Sequence, residues 1–208
     1  MKQTRREVRP LSATGSTRER GEDTRTALIA AGRRLFARRG FDGTSVRDIT
    51  REAEANLGSI TYHFGSKRAL YGEVLRSGLS PLVDQVGAAA DRGGSAIERL
   101  EAVVDVFFDH LAAHPELPRL LLQEVAAGKK PPDEVVAILR ENAGHVGRIL
   151  ADGWATGTIR PGHPLLWAIS VVSQPIYMTV VAPLLLEVGG VDLGDPSVRR
   201  IAADHVKA

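Results

Sequence analysis

Between Asn56 and Lys67 the chain reads NLGSITYHFGSK, a concentration of groups able to exchange hydrogen bonds at a surface. Ser59, Thr61 and Tyr62 bring hydroxyls, His63 an imidazole, Asn56 an amide and Lys67 an ammonium, while Gly58 contributes no side chain. Only Ile60 and Phe64, spaced i,i+4, are strong apolar anchors. A short helix built this way has a slim, uncharged, hydroxylated outer face where surface helices ordinarily carry Glu or Lys. That face suits close approach to base edges in a DNA major groove about 12 Å wide. Hydroxyls there donate or accept, and a threonine methyl can meet a thymine methyl. Lys67, Tyr62 and His63, with the Thr44 and Ser45 hydroxyls at an upstream helix start, suit phosphate oxygens. The same residues would also serve a helical corner that merely faces water.

Other chemistry finds little support. His110 and His114 have a chelating i,i+4 spacing, but HLAAH lacks the glutamate of a zincin motif and the chain has no cysteine. Gly128-Lys129-Lys130 is no P-loop, because Gln123 takes the earlier glycine position and no Ser or Thr follows Lys129. No G-x-S-x-G or other nucleophile signature occurs. No cofactor, metal site or enzymatic activity is expected.

The elements that must carry the opening motif are helices. Leu28, Ala31, Leu35 and Phe36 recur at helical spacing in a helix expected from about Asp23 or Thr24 to Gly40, whose glycine and following Phe41 resemble a left-handed C-cap. Ser45 with Asp48 resembles a capping box made with a short acid, opening a second helix whose inner face is Val46, Ile49 and Ala53. Further helices are expected at 66–79 (with a continuation past Pro81 to about 91 left open), 95–113, 115–127, 132–156, 163–187 and 195–206. Without a period-2 strand, the fold class is all-α. Three short helices ahead of residue 65, the last two joined by a tight turn, match a helix-turn-helix.

Charge supports a divided chain. Residues 1–78 hold 16 Lys/Arg against 9 Asp/Glu, a net of +7, and the remainder is net −5. A basic end on an acidic body suits a polyanion at one end only. No apolar leader opens the sequence, and the richest apolar segment, Leu165 to Val188, is interrupted by Ser, Gln, two prolines and Glu187. A soluble, cytoplasmic protein with no membrane partner is expected.

From Thr26 to Leu70 the chain resembles the DNA-binding domain of tetracycline-repressor (TetR) family regulators. The resemblance rests on Ala30-Ala31, Leu35-Phe36, Gly40, Thr44-Ser45, Ile49, Ala53, Gly58, Tyr62-His63-Phe64 and Ser66-Lys67, in order and in spacing. It implies a homodimer on a pseudo-palindromic operator, released when a small-molecule effector enters the C-terminal domain. Base-facing positions would be Leu57, Gly58, Ser59 and Thr61; phosphate contacts would be Thr44, Ser45, Tyr62, His63 and Lys67, with Arg47 and Asn56 completing the DNA-facing set. Three positions depart from the family pattern. Glu54 replaces a turn glycine, so either the turn is less tight or Glu54 adopts an unusual backbone angle; Leu57 replaces a polar or basic residue, and Thr61 an aromatic.

The expected organisation is a disordered basic arm (1–21), a DNA-binding domain (22–66) and a helical effector and dimerisation domain (67–208). The arm residues Lys2, Arg5, Arg6, Arg9, Arg18 and Arg20 could track DNA or remain a solvated tail. Gln174-Pro175 interrupts an apolar helix, predicting a kink, a cavity and a polar group pointing into it. Phe107, Phe108, Leu111, Trp154, Trp167, Gln174 and Tyr177 are the candidate ligand residues. By the family resemblance, helices 163–187 and 195–206 of two subunits would form the dimer bundle. The rival readings are a helical protein-interaction module and a small all-α metal protein or enzyme using His110 and His114.

Overall fold

The computed structural model describes residues 14–207, with side chains from residue 20 onward. Among the described residues the secondary structure is α-helical throughout: α1 (Thr14–Arg39), α2 (Val46–Glu52), α3 (Ser59–Phe64), α4 (Lys67–Asp91), α5 (Ala96–Ala113), α6 (Glu116–Ala126), α7 (Asp133–Ala155), α8 (Pro164–Gly189) and α9 (Pro196–Lys207). The first helix starts well before Asp23, so residues 14–21 of the expected arm are helical instead. Gly15 and Gly21 weaken that turn by only about 1 kcal/mol each, and no proline interrupts the run after Pro10. Lys2, Arg5, Arg6 and Arg9 lie outside the described residues.

Local chemistry sets the boundaries. Gly40 closes α1 at φ 68°, a left-handed angle that glycine adopts without strain, and its N–H donates to the Phe36 carbonyl at 2.8 Å. Ser45 caps α2 by accepting from the Asp48 N–H at 3.1 Å. The shorter Asp48 carboxylate accepts from the Ser45 hydroxyl at 2.7 Å instead of the backbone N–H a glutamate reaches. The full reciprocal box forms at α5, between Ser95 and Glu98. α4 continues through Pro81 to Asp91, and α8 through Pro175 and Pro183 to Gly189.

Two large apolar cores hold most of these helices, and a smaller cluster of Val104, Phe108 and Ala203 seats α9. One joins Leu28, Leu35 and Phe36 of α1, Ile49 of α2 and Ile60 of α3 to Leu70, Tyr71 and Val74 of α4, Leu117 and Leu120 of α6, and Val135 of α7. The other joins Val86 of α4, Val103 and Phe107 of α5, Ile149 and Leu150 of α7, and Ala168 of α8. Each such large side chain taken fully from water contributes roughly 1.5–3 kcal/mol. The first core runs across residues 66 and 67, so α6 and α7 help hold the N-terminal helices in place. α4 is the shared spine, packing against α1, α3, α5, α6 and α7.

Candidate nucleic-acid interface and ligand cavity

α2 ends in a Schellman motif: the Ala55 N–H donates to Thr50 O at 2.9 Å and the Glu54 N–H to Arg51 O at 3.3 Å. Its left-handed position is occupied by Glu54, at φ 52°. A Cβ there costs about 1–2 kcal/mol relative to glycine, so the turn departs from ideal sequence and keeps its geometry. α3 follows with Ile60 buried and Phe64 packed partly against the same core.

Everything else on α3 looks outward. Tyr62 is 84% exposed and Leu57, just ahead of the helix, 54%. Asn56, Gly58 and Thr61 are exposed, Ser59 and His63 half-buried. A Cβ built at Gly58 would meet nothing within 4 Å, and its φ of −74° suits any residue. Nothing inside the protein requires glycine there, which leaves the outer face as the reason for its smallness.

Two expected phosphate ligands make hydrogen bonds within the protein. Thr44 is buried and its hydroxyl donates to Gly40 O at 2.8 Å. Lys67 donates to Phe41 O at 2.8 Å and Thr44 O at 2.9 Å, with its ammonium 4.1 Å from the Phe41 ring centroid. Both therefore position the loop that presents Ser45; one of the three Lys67 N–H groups remains for an outside acceptor. Ser45 is exposed although its hydroxyl serves the cap, and Arg47 is exposed.

Two acidic groups near this face, Glu52 and Asp48, are neutralised from within. Glu52 accepts from Arg34 at 2.7 Å and pairs with Arg38 at 3.3 Å, and the Arg34 hydrogen bond holds its carboxyl below the usual range. Asp48 is likewise held low, first by the Ser45 hydroxyl and then by Arg51 and Arg39. Such pairing leaves the exposed cations of α2 and its surroundings to dominate the field toward a polyanion.

A second feature lies about α6. A cavity of about 330 Å³ is enclosed by α4 to α8, with Leu117, Pro118, Leu121 and Leu122 of α6 along one wall. α6 also reaches the DNA-facing unit. The Tyr71 hydroxyl donates to Leu120 O at 2.9 Å, Arg68 meets the buried Glu124 at 2.6 Å, and Lys129, just beyond α6, pairs with Asp42 at 2.8 Å. One short helix thus touches the cavity, the first turn of α4 and the loop leading to α2.

A family model of "Bacterial regulatory proteins, tetR family" matches residues 28–74, and one of a "Tetracyclin repressor-like, C-terminal domain" matches 97–207. A transcriptional repressor of Streptomyces coelicolor is 30% identical over 86% of this chain and 90% of its own length. The chain belongs to the TetR family. It is, with that family, a helix-turn-helix DNA-binding transcriptional regulator. The repressor KstR2 of Rhodococcus jostii is 33% identical over 49% of this chain and 50% of that one. Among solved structures, a tetR-family regulatory protein from Rhodococcus RHA1 superposes with a TM-score of 0.72 at 21% identity, covering 88% of this chain and 93% of that one. FadR of Bacillus subtilis, solved in complex with stearoyl-CoA, gives 0.70 at 16% identity over 88% and 97%. At these identities the likeness is one of fold.

Within this TetR-family frame, the expected ligand residues divide. Phe107 and Leu111 line the cavity. Phe108 faces a neighbouring cleft beside α9, Trp154 packs in the second core, and Trp167 stands against Gly162. Gln174 is exposed and Tyr177 is 66% exposed, both away from the cavity. The cavity takes Leu165, Ala168, Ile169, Val172 and Ile176 of α8, a stripe of i,i+3/i+4 spacing that turns Gln174 and Tyr177 to another side. Sequence reasoning missed Asn142 of α7. The signal was present: one amide within the apolar series Val135, Ile138, Val146 and Ile149. His110 is no free ligand, since its Nε2 donates to Gly78 O at 2.9 Å and burial lowers its pKa.

Proposed function

We propose that this TetR-family regulator is a cytoplasmic homodimeric repressor that binds a pseudo-palindromic operator and leaves it when a small molecule occupies the α4–α8 cavity. The observation that carries the reading is the double engagement of α6. Its apolar face lines the cavity, while Tyr71, Arg68 and the Lys129–Asp42 pair tie it to the α4 start and the α2 approach. A ligand that favours a different seating of α6 would shift α4, change the separation of two α3 helices and spoil their fit to half-sites about one helical turn apart. Leu57, Gly58, Ser59 and Thr61 would meet base edges; Ser45, Arg47, Tyr62 and His63 would meet phosphates, with Asn56 at the rim.

Dimerisation is supported by α8. The helix is long and apolar enough to pass for a membrane span, yet only Ala168, Pro175 and Thr179 are buried. Leu166, Ser170, Ser173, Tyr177, Leu184 and Val188 form an exposed seam at i,i+3/i+4/i+7 spacing. The two serines let a second helix approach closely, as in a packed helix pair. Selection of bound fragments from genomic DNA by the purified protein, followed by footprinting, tests the proposal. A protected inverted repeat with two protein chains bound is expected; a stable dimer that retains no specific fragment would refute it.

A further inference from the structure

The cavity has a chemistry of its own. Of its lining residues Asn142 alone is polar; the rest are aliphatic apart from Phe107. Asn142 is only 7% exposed. Its Nδ2 donates to Ile138 O, one helical turn back, at 3.2 Å, which sets the amide orientation: the flipped form would oppose two oxygens. Its Oδ1 is left buried without a hydrogen-bond partner in the protein. An orphaned buried acceptor is costly, and a ligand that supplies the missing donor removes that cost.

The walls carry no Lys, Arg, His, Asp or Glu. A charged ligand group would therefore be desolvated there without a counter-ion. Nor does the entrance supply one: Leu122, Leu139, Leu165 and Ile169, between 40% and 51% exposed, form an apolar rim where α6, α7 and α8 meet.

We propose that the effector is an uncharged, predominantly apolar molecule carrying one hydrogen-bond donor, a hydroxyl or N–H, that docks on Asn142 Oδ1. The inference rests on the reading of this cavity as the effector site. A carboxylate brings only acceptors and a charge; an ether or thioester brings an acceptor alone. Asn142 thus acts as a specificity determinant that ranks ligands of equal apolar bulk by their donor. The lining is apolar apart from this one amide, so the ranking should be steep for so small a chemical change.

The test compares decan-1-ol, its methyl ether, decanoate and decanoyl-CoA by calorimetric titration of the full-length protein without DNA, using wild type and Asn142→Leu. Wild type should prefer the alcohol over the ether by about tenfold, the scale of one buried hydrogen bond. In the Leu variant the ether should bind as well as before and the preference should vanish. Should that variant melt early, Asn142→Ala is measured instead. A wild type that takes decanoate or decanoyl-CoA more tightly than the alcohol overturns the proposal, as does a variant that keeps the alcohol preference. If no probe binds, the cavity is not an effector site and both readings fall; binding in the wrong order sinks only the donor requirement.

Discussion

α3 and α8 each leave a face uncovered by the rest of the chain, and they differ in almost everything else. The six residues of α3 bury Ile60 and present small polar groups, an exposed tyrosine and nearby arginines. The 26 residues of α8 bury three and present leucines, valine and tyrosine. Exposure alone says only that a partner is missing; the chemistry of the exposed face says which one. A slim hydroxylated face with cations beside it is satisfied by a groove lined with phosphates, and would gain little from a protein surface. An apolar seam has the opposite preference, because taking it from water is itself favourable.

The comparison is most severely tested on α8. Leu184→Glu combined with Tyr177→Glu places carboxylates in the seam, and sedimentation should show monomers. Operator affinity should then fall by about 100-fold or more, since one subunit engages one half-site. Persistence of the dimer would mean that α8 faces something else. Next in size is Lys67→Met, which removes two charge-assisted hydrogen bonds at the α4 start. A loss of about 3 kcal/mol in stability is expected from thermal melts, with the salt slope of DNA binding scarcely changed. A residue acting mainly on phosphate would show the reverse.

Arg47→Ala sharpens the α3 side of the contrast. Affinity should drop by about tenfold for all sequences alike, and the slope of log K against log salt should shrink by about 1. Leu57→Ala should cost about 1 kcal/mol at one or two base positions while leaving the salt slope intact, read out by repeating the selection of bound DNA. An unchanged selected sequence would remove Leu57 from the groove. The smallest effect is expected at the turn. Glu54→Gly should raise stability by about 1 kcal/mol through the left-handed angle, whereas Glu54→Gln, which removes only the charge, should not.

Much of the DNA-facing unit was legible in the sequence because its signals are local. Ser45 and Asp48 are a cap spaced within one turn, Gly40 and Phe41 adjoin, and Ile60 with Phe64 mark the inner face of α3 by spacing alone. Glu54 at a glycine position left a looser turn or an unusual backbone angle as the two outcomes, and the angle is the one found. The internal hydrogen bonds of Lys67 were not legible for the opposite reason. Its partners, the carbonyls of Phe41 and Thr44, lie 26 and 23 residues away, and no local pattern brings them together. Thr44 is similar: its hydroxyl looks available until the Gly40 carbonyl folds back onto it.

The cavity shows the same division. Sequence by itself determined that the chain is helical, where most helices start and stop, and which residues form each apolar stripe, because hydrogen bonding and periodicity act over a few residues. It could not assign those stripes. Whether an apolar face on α8 meets α5, lines a void or waits for a second subunit depends on how the helices are rotated against one another. That rotation is set by the whole set of packed side chains, Leu117 against Gly78 and Ile159 against Gly153 among them. Tertiary packing therefore turned Gln174 to the outside, left Asn142 with a free oxygen inside, and brought α6, like α4, against both the cavity and the approach to DNA.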